Sequence, residues 1–342
     1  MNTLRLGTPP CDRPGIDRVV VYVSDRGYIA QALVSAAQLA AQPEVTAIAD
    51  IIIFLVDVPE GEQAEILAAL GGAHFNFRFL DSRQFMTGST DRLPELHCPL
   101  SSLGRLVIDA EIPAQYRTVI YIDGDTQVVG PAAPLIGMAC EPGVIYAAAD
   151  RLDNGGKYAN SPAYLASIGV DQVASYFNAG VMVAERSTWR QLTAEALQFL
   201  AANPEKCKHY DQSALNAVAV GKVRMLSPAY NYSSWFWTTD ETRAIRPSIV
   251  HFTGPIKPWN ATRRPWGESF RQVYSEFLRE NPFFARYLKI DASKDVDPKY
   301  ARPTPVLRAR LAAKVLKQKL EHRYHRHLWR HYLREAPFLR LG

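Results

Sequence analysis

The sequence lacks a G-x-G-x-x-G fingerprint, any run of 18 consecutive apolar residues, and any cysteines at metal-ligand spacing. The first absence disfavours a nicotinamide dinucleotide site, whose pyrophosphate needs those glycines at a strand–helix turn. The second leaves no segment able to span a bilayer as a helix. The four cysteines, Cys11, Cys98, Cys140 and Cys207, are widely scattered. They suit a reducing compartment better than a disulfide framework. The opening residues, including Thr-Pro-Pro-Cys-Asp-Arg-Pro, contain no apolar run of the signal-peptide kind, so a cytoplasmic location is expected. A Gly-rich basic loop of the nucleotidyltransferase kind is missing too, since Ser24-Asp25-Arg26-Gly27 is too short for one.

What is present is an ordinary globular composition, 47% apolar and 21% charged over 342 residues. That is enough chain for one large α/β domain with an appendage. The expected division is an irregular lead-in over 1–17, a catalytic domain over 18–285 and a basic helical region over 286–342. The formal charge of +5 hides an asymmetry: residues 302–342 hold 11 of the 39 basic residues and only two of the 34 acidic ones. An acidic body with a basic tail is not the pattern of an enzyme that tracks a nucleic-acid backbone, and no nucleic-acid partner is expected.

Strand and helix signals alternate along the body. Val19–Val23 reads as a first strand, stopped by Ser24-Asp25-Arg26-Gly27-Tyr28 and followed by a helix over Ile29–Ala41. Ile51–Val56 is a second strand and Gly61–Leu70 a helix closed by Gly71-Gly72. His74–Leu80 alternates aromatic and polar residues as a third strand. Ser101–Ile108 predicts a helix, Val119–Ile122 and Val144–Ala149 predict strands, and Tyr176–Val183 a buried strand interrupted by Asn178 and Gly180. Ser187–Ala202 predicts an amphipathic helix, residues from Tyr210 to Val218 a short one, and Arg224–Leu226 and Ile249–Phe252 two last strands. The alternation predicts a mostly parallel sheet with helices on both faces. Ligands of such sheets gather beyond the carboxyl ends of the strands, where Asp25, Asp123, Asp125, Asp150 and His251 are expected.

The centre of that set is Asp123-Gly124-Asp125. Placed on a strand, carboxylates at i and i+2 point to one side. Two buried anions there need a cation between them. A divalent ion carrying phosphate would satisfy them, with Gly124 letting phosphate approach the backbone. Asp-Gly is equally a hairpin turn signal. Adding the imidazole of His251 to the two carboxylates suits manganese better than magnesium, the alternative. Lys257, past Gly254, would supply a charge for a departing diphosphate. Alone, Asp150 reads as a helix cap, Asn178 as a turn residue and Asp211 as the N-cap of the following helix.

Ile-Asp-Gly-Asp at 122–125, Phe-Asn-Ala-Gly at 177–180, Asp211-Gln212 with Asn216, and His-Phe-Thr-Gly-Pro-Ile-Lys-Pro-Trp at 251–259 occur in this order. Together, over about residues 18–270, they resemble glycosyltransferase family 8, which includes bacterial lipopolysaccharide galactosyl- and glucosyltransferases. The resemblance implies a GT-A fold, an α/β Rossmann-like arrangement, and retaining transfer of a hexose from a UDP-sugar to a saccharide or glycolipid acceptor. It assigns Asp123, Asp125 and His251 to Mn²⁺, with Asp123 also near the ribose. It places Asp25 at the uracil, Tyr28 stacked on it, and Gly254 and Lys257 at the diphosphate. Arg105 would reach the sugar or diphosphate, while Asp150, Asn178, Asp211 and Gln212 line the donor sugar, Gln212 beneath the anomeric carbon. Gly27 stands where related bacterial enzymes often carry Asn, which weakens the inference about the base. A sugar-nucleotide hydrolase and a non-catalytic glycan- or membrane-binding protein are the alternatives.

The acceptor pocket is expected from the stretches Asp153–Tyr164 and Tyr230–Thr239. In the tail, Leu316, Leu320, Tyr324, Leu328 and Tyr332 recur every four residues in a Pro-free, helix-favouring segment. With Trp329 and Phe338, this basic region predicts peripheral attachment to an anionic membrane, on the cytoplasmic face of an inner membrane.

Overall fold

The computed structural model describes residues 13–70, 76–85, 103–150, 161–171, 175–234, 236, 245–262, 266–291 and scattered helical positions between 305 and 334. The strands are β1 (Arg18–Asp25), β2 (Asp50–Val56), β3 (Asn76–Leu80), β4 (Thr118–Ile122), β5 (Thr126–Val128), β6 (Ile145–Ala149), β7 (Phe177–Glu185), β8 (Val223–Leu226) and β9 (Ile249–His251). Seven of them form one sheet, ordered β3-β2-β1-β4-β7-β6-β8, and β5 pairs with β9 in a separate ribbon.

β7 alone is reversed in the large sheet. It runs antiparallel to both β4 and β6, while β3, β2, β1 and β4 pair in parallel, as do β6 and β8. The reversal has a functional consequence. The amino-terminal residues of β7, Phe177–Gly180, lie at the same sheet edge as the carboxyl ends of the six other strands.

Alternation along the strands divides the core in two. Val20 and Tyr22 of β1 and Ile120 and Ile122 of β4 join one cluster, which includes Leu33 and Val34 of helix α1 (Ile29–Ala40). Val19, Val21, Val119 and Tyr121 face the other, with Trp189, Leu192, Ala196 and Leu200. Those four belong to α4 (Arg186–Ala202), in the series that also includes α2 (Glu60–Ala69) and α3 (Pro162–Ser167). They form the packed face expected from the sequence. Further on, α5 (Tyr210–Val218) lies against β7, and α6 (Glu268–Glu280) adds Tyr274 and Phe277 to the first core. Tyr287 and Leu288 still belong to that core.

Several expectations need correction. The helix expected over Ser101–Ile108 stops short. Ser101 and Ser102 lie outside the described residues; among the described ones, Leu103-Gly104 is helical and is followed by a turn and the 3₁₀ segment Ile108–Glu111. Gly104 sits so close to β1 that a Cβ there would lie 2.5 Å from Val23 Cγ1. Packing against the sheet prevails over helix continuation. The β9 strand does not join the central sheet but pairs with β5, a three-residue strand too short to show a period. Asp123-Gly124-Asp125 therefore lies in the turn between β4 and β5, not on a strand. Gly71-Gly72 and His74 lie outside the described residues, as do 151–160 and Trp235. The described aromatics of the second expected acceptor stretch are core: Tyr230, Tyr232 and Phe236 are buried. So is Tyr164, on α3.

Candidate active site

The turn after β4 is held against the start of β7, where Asp123 N–H donates to Gly180 O at 2.8 Å. Thr126 Oγ1 closes the turn onto Asp123 O at 2.9 Å. A Cβ on Gly124 would lie 3.1 Å from Ala32 Cβ of α1, so the glycine lets the helix come close to the turn. β9 runs beside β5 with His251 opposite Thr126, which carries the imidazole to the two carboxylates. Alternation along a strand does not bring the two carboxylates together. The turn and the ribbon do.

One ligand atom from each of Asp123, Asp125 and His251 lies within 4.8 Å of the others. His251 Nε2 is 3.1 Å from Asp125 Oδ1 and 3.6 Å from Asp123 Oδ2. The second oxygen of each carboxylate is engaged elsewhere. Asp123 Oδ1 accepts from Tyr121 O–H at 2.7 Å and lies 3.0 Å from Arg105 Nη2. Asp125 Oδ2 accepts from Lys257 Nζ at 2.6 Å. Two carboxylate oxygens and one imidazole nitrogen, converging at this spacing, fit a divalent cation of the borderline class.

Lys257 also donates to Phe252 O, and its side chain is only 11% exposed. Burial alone would lower its pKa; the adjoining Asp125 carboxylate prevails and holds the ammonium above its ordinary value. Burial likewise disfavours ionised Asp125, but Lys257 and then His251 keep its carboxyl well below the usual range. Gly254, with φ of 81°, makes the left-handed turn between His251 and Lys257 and is exposed.

Arg105 is buried. Its side chain is 9% exposed, it donates to Ala179 O at 2.7 Å, and its Nε is 2.9 Å from Asp211 Oδ2. It thereby joins Asp123 to Asp211 and lies over the Tyr121 ring, 4.6 Å from the centroid. Asp211 is not a helix cap. It follows Tyr210, whose φ of 48° is left-handed, inside α5, and it is buried. That backbone conformation stores strain of order 1–3 kcal/mol, which the packing around it must hold.

Burial pushes the Asp211 carboxyl from 3.8 up to about 6, against the opposing pull of Arg105. Because the folded pKa is raised, its contribution to stability is complete below the ordinary value and is lost as pH rises toward 6. Without metal, the wild type should therefore lose roughly 3 kcal/mol relative to Asp211→Asn as pH rises from about 3 through the folded value to about 7. Urea unfolding of both proteins across that range measures the gap; a flat gap, or one of opposite slope, would remove this burial effect.

Asp150, Asn178 and Gln212 meet at the same edge. Gln212 Nε2 donates to Asp150 Oδ2 at 3.1 Å and to Tyr176 O–H at 3.3 Å, while its Oε1 accepts from Ala179 N–H at 3.1 Å. Asn178 Nδ2 reaches Asp150 Oδ1 at 3.5 Å. Asn178 lies on β7 rather than in a turn. Asn216 docks α5 onto that strand by exchanging hydrogen bonds with both Phe177 N–H (2.8 Å) and Phe177 O (2.9 Å).

Asp25 ends β1 and accepts from Gly27 N–H at 2.8 Å, which turns the chain into α1. Tyr28 is half-buried, edge-on to Trp259 with centroids 5.9 Å apart. Burial raises its pKa; Lys257 lowers it, and Asp125, Asp25 and Asp123 raise it, which places all four charges around this ring.

Sequence reasoning missed Tyr121, Tyr176, Trp259 and, above all, Asn231. Asn231 is buried and bonds to both Asn178 and His251. The only signal for it was a polar residue between the aromatic residues Tyr230 and Tyr232.

The family model for glycosyl transferase family 8 matches residues 19–263. General stress protein A of Bacillus subtilis (strain 168) is 27% identical over 172 residues, a match covering 45% of this chain and 57% of that protein. The chain thus spans little more than half the length of that relative. The crystal structure of galactosyltransferase LgtC in complex with donor and acceptor sugar analogs superposes with a TM-score of 0.61 at 23% identity, covering 75% of this chain and 95% of that one. The apo structure of the bifunctional glycosyltransferase WbbM gives a TM-score of 0.61 at 19% identity, covering 82% and 52%. The architecture is the GT-A fold.

Proposed function

The chain belongs to glycosyltransferase family 8, and we propose that it is a retaining transferase moving a hexose, galactose or glucose, from a UDP-sugar to a saccharide acceptor of a lipopolysaccharide or other surface glycolipid. The observation that carries this reading is the convergence of Asp123, Asp125 and His251 at the edge where Asp150, Asn178 and Gln212 also meet. A group able to hold a cation beside a cluster of polar side chains is what a diphosphate-linked sugar needs. The galactosyltransferase solved with donor and acceptor sugar analogs, though under 25% identical, supports the same reading.

Asp123, Asp125 and His251 would hold the cation, Mn²⁺ before Mg²⁺. When bound, such a cation neutralises charge on the donor diphosphate and on the departing UDP. Lys257, next to Asp125, would add a fixed positive charge for the diphosphate, on a side chain already kept protonated. Asp25 and Tyr28 are the candidates for the uridine, at the end of β1 and the start of α1.

Asp150, Asn178 and Gln212 offer donors and acceptors to the sugar hydroxyls, and Asp211 sits behind them, paired with Arg105. The amide of Gln212 is a weak nucleophile. We therefore favour attack on the face that UDP leaves: the bond from C1 to the diphosphate oxygen breaks, and the bond from C1 to the acceptor oxygen forms on the same face. The acceptor proton passes to the departing diphosphate. Retaining glycosidases that work by double displacement need two carboxyl groups about 5 Å apart across the sugar. Here Asp211 is instead committed to Arg105. Screening UDP-sugars for Mn²⁺-stimulated hydrolysis, then saccharide acceptors with the preferred donor, tests the reading. One preferred UDP-hexose and a product of retained anomeric configuration are expected. Hydrolysis unaffected by every acceptor would favour a sugar-nucleotide hydrolase.

The basic tail gives the glycolipid acceptor a physical context. Among the described residues no helix is long and apolar enough to cross a membrane. The described tail positions are helical and exposed, including Val306, Leu316 and Leu320 at 64%, 59% and 56%. Tyr324, Leu328, Trp329, Tyr332 and Phe338 lie outside the described residues. Exposed leucines beside a net charge of +9 over residues 302–342 suit the surface of an anionic bilayer. Full-length protein should pellet with anionic liposomes at low salt and be released as salt rises. A version truncated after Tyr300 should keep UDP-sugar hydrolysis and stay in the supernatant; equal pelleting by both removes the tail from membrane attachment.

A further inference from the structure

The hydrogen bonds around His251 form a chain in which each partner dictates the next. It begins at a group whose direction is beyond doubt, the backbone N–H of Gly180. That N–H lies 2.9 Å from the side-chain oxygen of Asn178 and can only donate, so Asn178 must present Oδ1 there. The same Oδ1 is 2.9 Å from the amide of Asn231, and Asn178 O is 3.4 Å from it. Both are acceptors, so Asn231 must turn its NH₂ toward Asn178. Its own Oδ1 is then left for His251 Nδ1, 2.9 Å away. A carbonyl oxygen can only accept, and Nδ1 must therefore carry a hydrogen.

We propose that Asn231 is a positioning residue that fixes the proton of His251 on Nδ1 and so presents Nε2, as a lone-pair donor, to the side where Asp123 and Asp125 stand. The inference rests on the metal-site reading above and deepens it. An imidazole ligates a metal through an unprotonated nitrogen, and the partner of the other nitrogen sets both tautomer and ring orientation. Here that partner is an amide rather than a carboxylate. The choice suits a pocket that already holds Asp123, Asp125, Asp150 and Asp211, because it adds an acceptor without adding another negative charge. Asn231 is 2% exposed, and its backbone is anchored by its N–H to Pro228 O at 3.1 Å. Gly180 is part of the same device. Its missing side chain leaves the space in which the imidazole lies, since a Cβ there would be 2.5 Å from His251 Nδ1. The chain also continues to Asp150 through Asn178 Nδ2, and so ties the orientation of the candidate metal ligand to the candidate donor-sugar groups.

Long-range ¹H–¹⁵N correlation spectra of the histidine rings test this directly in metal-free full-length protein. His251→Gln assigns the signals. In the wild type, His251 should carry a hydrogen on Nδ1; without a cation, Nε2, 3.1 Å from Asp125 Oδ1, can carry one too. Asn231→Ala should shift the ring toward the Nε2–H form and weaken Mn²⁺ binding by on the order of 10–100-fold. Asn231→Asp keeps an acceptor for Nδ1–H and should keep the tautomer, although its second oxygen faces Asn178 Oδ1 and lowers the melting temperature. A wild-type ring with no hydrogen on Nδ1 overturns the proposal even if no variant folds. So does an Asn231→Ala protein with unchanged tautomer and Mn²⁺ affinity. A protonated Nδ1 in a protein that binds no Mn²⁺ would leave the tautomer assignment standing and overturn the metal reading on which its purpose rests.

Discussion

Asp125→Asn is expected to lower sugar transfer at least ~100-fold while leaving the circular dichroism spectrum unchanged. The factor is what one strong electrostatic contact to a transition state is ordinarily worth. The substitution keeps the shape of the side chain but removes its charge from two partners at once, His251 Nε2 at 3.1 Å and Lys257 Nζ at 2.6 Å. The amide remains able to accept one hydrogen bond from Lys257. The buried ammonium nevertheless loses its counter-charge, so the melting temperature should fall as well. Activity that survives at saturating Mn²⁺ would remove Asp125 from the mechanism.

Gly180→Ala should be nearly as damaging, although Gly180 bears no functional group. A methyl group there would lie 2.5 Å from His251 Nδ1 and 2.9 Å from Asn178 Oδ1. Neither neighbour can yield cheaply, because the imidazole is walled in by Asn231 and Asn178 is held by the backbone. Overpacking of this kind costs typically 1–3 kcal/mol of stability. The larger effect should be functional, since relief requires the imidazole to move from its place beside Asp125. We expect Mn²⁺ affinity to fall at least ~10-fold, the lower end of what disturbing the support of a metal-ligating histidine does. Calorimetric titration with Mn²⁺ and a urea melt separate the two effects. Unchanged metal affinity together with unchanged stability would show that the close approach of Gly180 is not needed.

Much of this edge was legible in the sequence because the strands announce themselves. Val19–Val23, Ile51–Val56 and Val119–Ile122 are dense β-branched runs, and each is followed at once by a polar residue that the fold places at a carboxyl strand end or just beyond it. The meeting of Asp123, Asp125 and His251 could be anticipated, but not the means by which it happens. β5 and β9 each have three residues, too few for a period, and their pairing is a non-local choice. The reversal of β7 was hidden for the same reason. A buried strand reads alike in either direction, yet this reversal is what brings Asn178 to the site rather than to the opposite edge.

The aromatic stretch near Tyr230 misled in the other direction. Tyrosines with one polar end are common at pockets and in cores alike, and here Tyr230 and Tyr232 took the core while Asn231 between them took the site. Arg105 was placed near the diphosphate or sugar on resemblance alone. Its position between Asp123 and Asp211, next to the close approach of Gly104 to Val23, rests on contacts no local pattern encodes.

The central claim is that Asp123, Asp125 and His251 form a cation site through which the chain binds the diphosphate of a UDP-sugar. Calorimetric titration of UDP into the protein, with and without Mn²⁺, tests it most directly. Tight binding in Mn²⁺ that weakens sharply on chelation, and that Asp125→Asn abolishes, is the predicted result. UDP binding of equal strength with Mn²⁺, with chelator and in Asp125→Asn would contradict it.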